Sequence, residues 1–286
     1  MSEMRASSNR QLLSPRRRMQ VASVFLALIC CIHVWPLLWM VSASFKPNAE
    51  IFAGGGLIPS APTFDNYRRA WTEAHMSQYF LNTLFVTVLS TLIVVLTTST
   101  MGYAISRRHF PGRGLLVGLL VFTLFVPQGY TIIPVFELLG ALGLSQSLWG
   151  LVLATSGGSF VVFVMLFAGY FSQIPKELEE AARMDGVGFS RTFLFVMLPL
   201  ARPIVVTVVV LQVLHAWNDF LLPLVVTLAN PALRTLSVGV YAFKGENYID
   251  WGGMTAAATM SILPIVVLFL FLQRYFIDGL AGAVKG

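Results

Sequence analysis

The chain has 286 residues, 56% hydrophobic and only 11% charged, with a mean hydropathy of +0.76. Soluble domains carry about a quarter charged residues, so this composition excludes an ordinary cytosolic enzyme and a disordered chain. The net charge of +6 would suit a nucleic-acid binder in a polar chain. In one this apolar, basic residues orient membrane segments instead, and no nucleic-acid partner is expected.

A helix needs about 20 apolar residues to cross a hydrocarbon core of ~30 Å. Six segments qualify: 19–40, 81–105, 115–136, 148–171, 203–229 and 254–277. The first is too apolar for too long to be a signal peptide, and no small-residue cleavage site follows it. It contains Cys30 and Cys31; neighbours in sequence make a poor disulfide and too few ligands for zinc, so they read as apolar filler. The expected fold is an all-α membrane protein of six transmembrane helices. Residues 1–18 form an N-terminal tail, 19–277 the membrane domain and 278–286 a C-terminal tail.

Lysine and arginine set the orientation. Lys46, Arg68, Arg69, Arg234 and Lys244 fall on one side of the six crossings, and the remaining basic residues fall on the other. The richer side is cytoplasmic, which places both termini there. Outside lies the segment 42–80, glycine- and proline-rich at first. Its later part, Asp65 to Trp71, reads as a short interfacial helix anchored by Tyr67 and Trp71. The outside loop 230–253 carries Tyr241, Phe243, Lys244, Tyr248 and Trp251.

The cytoplasmic loop 172–202 holds the densest pattern. Pro175 suits the first position of a helix, and Glu177, Glu179 and Glu180 suit its positive end. Leu178, Ala181, Ala182 and Asp185 share a face at spacings of three and four. Gly186 and Gly188 stop that helix, and Ser190 is placed to cap a second one bearing Phe189, Phe193 and Met197. Pro199 and Pro203 interrupt the chain before the fifth span. Two readings fit: a small-residue knob that docks on a partner, or a connector that packs on its own helices.

Within the spans, polar groups are costly and mark function or packing. Asp219 is the one acidic residue deep in a span, about 24 Å along from Pro203, and shares a face with His215 and Gln212; Asn218 is beside it. That face either lines a path and bonds sugar hydroxyls or bonds a broken neighbouring helix. Pro223 favours a local break there. Pro127, Gln128, Gly129 and Pro134 break the third span, and Pro264 interrupts the sixth. Gly157 and Gly158 read as close helix packing, and His33 as a satisfied packing group. No metal-ligand spacing is present.

Glu180-Ala181-Ala182, then Asp185-Gly186, Phe193 and Leu198-Pro199 resemble the "EAA" loop of permeases of binding-protein-dependent ABC importers. Ser44-Phe45-Lys46-Pro47, Phe64-Asp65-Asn66-Tyr67, Trp217-Asn218-Asp219-Phe220 and the run Gly279 to Gly286 are similar to its carbohydrate branch. The segment from Trp251 is similar to the smaller permeases of maltose importers. The resemblance implies a type I ABC importer permease in a bacterial or archaeal cell membrane. It implies a homologous second permease, an ATPase dimer holding ATP and Mg, and an extracytoplasmic solute-binding protein. This chain would bind no cofactor: it lacks a G-x-x-x-x-G-K-[ST] loop.

Carried over by resemblance, Glu180, Ala181, Ala182, Asp185, Gly186 and Phe189 couple to the ATPases. From the polar residues of the spans themselves, Gln128, Gln212, His215, Asn218 and Asp219 are the candidates for the substrate path, on the first of the two readings of that face. By the resemblance again, Tyr241, Phe243, Lys244 and Tyr248 meet the binding protein. Gly282, Lys285 and Gly286 reach the ATPase interface in a tail of low helix propensity. The substrate class is a sugar, with glycerol-3-phosphate or another polyol phosphate as the alternative. The rivals are an ion-coupled secondary transporter, which calls for a carboxylate relay and a repeat, and a membrane scaffold without a path.

Overall fold

The computed structural model describes residues 15–53, 56–158, 160–245 and 248–284, with the side chains of 15, 18, 128 and 272–284 left aside. No strand occurs among the described residues; a single antiparallel bridge joins Lys244 and Ile249. Among the described residues three helices are long and apolar enough to cross a membrane unaided, at Met19–Ser44, Met76–Arg107 and Trp251–Phe271. They lie within α1 (Pro15–Ser44), α4 (Met76–Arg107) and α15 (Trp251–Val284). Between α1 and α4 sit the short helices α2 (Asn48–Ile51) and α3 (Asp65–Thr72).

The other expected spans are each divided. The third splits into α5 (Arg113–Thr123) and α6 (Gln128–Ala141), with Pro127 as the N-cap of α6. The fourth splits into α7 (Leu148–Gly157) and α8 (Phe160–Gln173), the fifth into α12 (Arg202–Asn218) and α13 (Leu221–Val226). Between α8 and α12 lie α9 (Glu177–Met184), α10 (Phe189–Thr192), a π-helical turn at Phe193–Met197 and α11 (Leu198–Leu200). A last short helix, α14 (Leu236–Tyr241), precedes α15.

α4 is the axis of the bundle. Its 32 residues span about 48 Å, and α8, α12 and α7 all pack along it, whereas α1 packs chiefly on α15. One end of α4 meets α3, and a core of Ala70, Met76, Tyr79, Trp217, Leu236 and Ala257 fills that end. The other end is filled by Val94, Tyr103, Phe167, Phe171, Phe193 and Met197. α1, α5 and much of α15 turn large apolar side chains outward, as a bilayer requires.

α4 and α8 approach closely at Gly102. A Cβ built there would lie 2.5 Å from the Phe167 Cβ, 2.9 Å from the Ala168 nitrogen and 3.0 Å from the Val164 oxygen. Gly158 likewise serves close packing, since a Cβ there would sit 2.5 Å from His215 Nε2. Gly157 differs from its expected role: nothing lies within 4 Å of its Cβ position.

The break that Pro223 leads one to expect is present, and two other expectations are corrected after it. The fifth span breaks at Asp219–Phe220, four residues before Pro223, because a proline ring excludes the carbonyl at i−4 and supplies no N–H to it. The freed Asp219 carbonyl accepts from Ser237 Oγ at 2.5 Å. The C-terminal tail, expected to be non-helical, continues α15 through Val284. A helix already nucleated adds a bond per residue, and Leu280, Ala281 and Ala283 favour it enough to carry Gly279 and Gly282. Lys285 and Gly286 lie outside the described residues. Tyr67, expected as a membrane anchor, turns inward instead, its hydroxyl 2.6 Å from Ser44 Oγ and its ring packed on Phe45.

Gly102→Val should force α4 and α8 apart, costing about 1–3 kcal/mol as an overpacked core. The expected result is a lower melting temperature of the detergent-solubilised protein, with Gly118→Val, which meets open space, as the unaffected control.

Candidate coupling face and polar path

α9 is built as the glutamates and glycine dictate, with one change of face. Lys176 supplies the first carbonyl, accepting from the Glu179 and Glu180 nitrogens at 3.0 Å, so Pro175 stands just before the helix. At the other end Gly186 takes φ +76°, and the Val187 and Gly186 nitrogens bond the Ala182 and Arg183 carbonyls at 3.0 and 2.9 Å. That is a Schellman closure, which needs a residue tolerant of the left-handed region. Gly188 is the N-cap of α10, so Ser190 sits inside that helix and does not cap it.

Glu179 turns inward. It is 6% exposed, its Oε1 accepts from Arg183 Nη2 at 2.8 Å, and its Oε2 lies 3.9 Å from Arg107 Nε. The Arg107 side chain is 3% exposed. Its Nη2 also donates to the Phe171 and Ile174 carbonyls, where α8 ends. Beside this pair Tyr103 stacks on Phe189 and Phe193, with ring centroids 4.9 and 5.1 Å apart, and meets Phe171 edge-on at 5.4 Å. The Arg108 guanidinium lies 4.2 Å over the Phe189 ring. Phe189 therefore anchors the knob to α4.

The shared face expected on α9 is consequently divided. Ala182 is buried beside Glu179 against the chain's own core, which corrects its placement on an exposed docking face. Leu178, Glu180, Ala181, Asp185 and Gly186 are exposed, and Met184 is 88% exposed. Sequence reasoning missed Arg107 and Glu179. The signal was available in Glu179, Ala182 and Arg183, which lie within one turn of one another. The segment 189–200 then bends by 80° into α12 at Ala201.

The polar residues of α12 fall into two groups. Gln212 is fully buried, its Nε2 3.5 Å from Ser90 Oγ, and its Oε1 has no hydrogen-bond partner among the described residues. Thr87 and Thr91, one turn of α4 around Ser90, have buried hydroxyls equally without partners there. His215 packs over Gly158, while Asn218 is exposed and donates to the Leu214 carbonyl at 2.8 Å. Trp217 Nε1 donates to the Ser261 carbonyl at 2.9 Å, tying α12 to α15 beside the break at Asp219. The side chain of Gln128 lies outside the described residues. His33 is satisfied within its helix, Nδ1 being 2.8 Å from the Ile29 carbonyl.

At the opposite end, Tyr241, Lys244 and Tyr248 are exposed and Phe243 is half-buried. Lys244 and Ile249 pair in an antiparallel bridge, and the Gly245 nitrogen donates to the Tyr248 carbonyl at 3.0 Å, which brings the two sides of this loop together.

Residues 98–281, which contain α9 and α12, match the family of binding-protein-dependent transport system inner membrane components. The chain belongs to that family. It is 35% identical over 277 residues to a probable ABC transporter permease, YurM, of Bacillus subtilis, covering 95% of this chain and 92% of that protein. It is 34% identical to the trehalose transport permease SugB of Mycobacterium tuberculosis, covering 94% and 99%. With the melibiose, raffinose and stachyose import permease MelC of Bacillus subtilis the identity is 31%, covering 94% and 98%. A chain of a bacterial ABC transporter that imports alginate has the same fold, with a TM-score of 0.81 at 24% identity over 93% of this chain and 99% of that one. The chain is thus a permease subunit, a transport component and not an enzyme.

Replacing Glu179 with leucine leaves Arg107 buried without its carboxylate. Because two carbonyls remain bonded to Arg107, the expected loss is about 3 kcal/mol, the low end for a broken buried pair. It should appear as a drop in the thermal midpoint of the purified permease. Arg107→Met combined with Glu179→Leu should recover most of it.

Proposed function

We propose that this permease forms half of the translocation path of an importer for a sugar or oligosaccharide, driven by partner ATPases through α9. The sugars named for the relatives support that substrate class, and the alginate importer solved with its periplasmic protein supports a solute-binding partner. The observation that carries the coupling role is the face of α9. Leu178, Ala181, Met184 and Asp185 project from a helix whose inward side is fixed by Glu179 and Phe189. An apolar, small-residue surface on a rigid support suits a groove in another protein.

Each divided pair is read as one crossing, α5 with α6, α7 with α8, and α12 with α13. With α1, α4 and α15 this makes six, with both termini on the basic, cytoplasmic side. ATP and Mg belong to an ATPase dimer beneath α9, and a homologous permease completes the path. Irregular backbone at membrane depth is tolerated where it lines a cavity, which favours the break at Asp219 and its neighbours Gln212, His215 and Asn218 as path residues, with Gln128 on the third span. At 34 residues, α15 is about 51 Å long against a core of ~30 Å. Its last turns, which include Gly282, therefore extend toward the ATPases, and Lys285 and Gly286, next in sequence after Val284, complete the tail residues assigned to that contact. The turn at Tyr241 to Tyr248, with Phe243 and Lys244, faces the binding protein.

Met184→Asp and Ala181→Trp should release the ATPase subunits on affinity purification and cut uptake at least tenfold, with the permease still present in the membrane. Ala182→Trp should instead lower permease abundance. Normal uptake with Met184→Asp and Ala181→Trp together would refute the coupling face.

A further inference from the structure

Two motifs noted in the sequence, Ser44-Phe45-Lys46-Pro47 and Phe64-Asp65-Asn66-Tyr67, meet in space and reach a third segment just before α15. Asn66 is buried, and its Nδ2 donates to the carbonyls of Ser44 at 3.0 Å and Lys46 at 2.8 Å. One turn along α3, Arg69 donates from Nη2 to Asn66 Oδ1 and from Nη1 to Asp250 Oδ2, both at 2.9 Å. Asp250 Oδ1 accepts from Asn48 Nδ2 at 3.2 Å and from the Gly253 nitrogen at 3.0 Å, the latter capping α15. Asn48 in turn accepts from the Gly252 nitrogen at 2.7 Å and donates to the Tyr248 hydroxyl.

The fit admits no side chain at its centre. A Cβ on Gly252 would lie 2.8 Å from the Asn66 amide, and one on Gly253 would lie 2.6 Å from Asp250 Oδ2. Asp250 also forms the base of the exposed turn, its nitrogen donating to the Phe243 carbonyl at 3.2 Å. The turn bearing Lys244 and Tyr248 is thus clamped at its root to α3 and to the segment that follows α1.

We propose that Arg69 and Asp250 are positioning residues that hold this turn in the conformation that engages the solute-binding protein. The proposal deepens the docking role given above and rests on it. The side chains of Arg69 and Asp250 are 36% and 17% exposed, so the pair adds little to global stability. Its effect is preorganisation: a turn already ordered gives up less freedom when the partner binds. Loss of the clamp raises the concentration of partner needed and leaves the bound complex unchanged.

The test uses the assembled transporter in nanodiscs, titrated with its own purified solute-binding protein while ATP hydrolysis is followed. Arg69→Ala and Asp250→Asn, the latter retaining a helix cap, should each raise the half-saturating concentration about tenfold, the equivalent of ~1.4 kcal/mol. The saturated rate and the rate without binding protein should stay within twofold of wild type. The double variant should be no worse than either single one, and Arg69→Lys should fall between. Spin labels at Lys244→Cys and Glu73→Cys, with Cys30 and Cys31 replaced by serine, should show a broader distance distribution in Arg69→Ala. Unchanged half-saturation, additive single variants, or a parallel fall in the saturated and unstimulated rates would overturn the proposal. Deleting residues 244–247 separates the two readings. If stimulation survives that deletion, the docking role itself is wrong; if stimulation is lost while Arg69→Ala behaves as wild type, only the clamp is wrong.

Discussion

The guanidinium of Arg107 holds three elements at one point. It sits on the last turn of α4, bonds two carbonyls at the end of α8 and faces Glu179 of α9. A cation at a helix C-terminus meets the negative end of the dipole and carbonyls that lack intrahelical partners. Desolvating that charge is expensive, and it is offset by the two carbonyls on Nη2 and by the Glu179 carboxylate opposite Nε. Once Arg107 is placed, Glu179 must face inward, and the opposite side of α9, from Leu178 to Asp185, must face out. The exposed knob therefore moves with α4 and α8 as one body.

Much of this was legible beforehand. The length and apolar run of α4, the glutamate-rich start of α9 and its stop at Gly186 follow from local rules that tertiary contacts do not override. Three features were not. Any of three glutamates could have turned inward, and the choice of Glu179 depends on Arg107, about 70 residues away, which local patterning registers only as an orienting charge. The helical tail defied the propensity of its glycines, since propagation from an existing helix costs less than nucleation. The meeting of Asn66 with Ser44 and Lys46 depends on chain reversal through 47–63, which carries no periodic signal.

α12 has a joint at both ends. At Ala201 the chain turns by 80° from the segment before it, and at Asp219 the backbone leaves helical geometry. Between them Gln212 rests against Ser90 of α4, and Trp217 is tied to Ser261 of α15. The outer joint is not loose: Ser237 of α14 takes the carbonyl that Pro223 frees. A stiff rod between two joints, with an imperfectly bonded amide midway, is a geometry suited to pivoting while its neighbours stay packed.

The π-helical turn at Phe193–Met197 has a consequence for register. There the Leu198 nitrogen bonds the Phe193 carbonyl, five residues back, so the turn contains one residue more than an α-helix would. Each residue of an α-helix advances the azimuth by about 100°. Excising one residue from this turn would restore regular bonding and leave the flanking segments close to their present phase, because the wider turn spends its extra residue on nearly the same rotation. A residue lost from the regular helix of α12 instead would swing Phe189 off the Tyr103 ring and turn α9 to a different meridian. The π turn is thus the point in the join between the membrane rod and the knob that can gain or lose one residue without turning the knob.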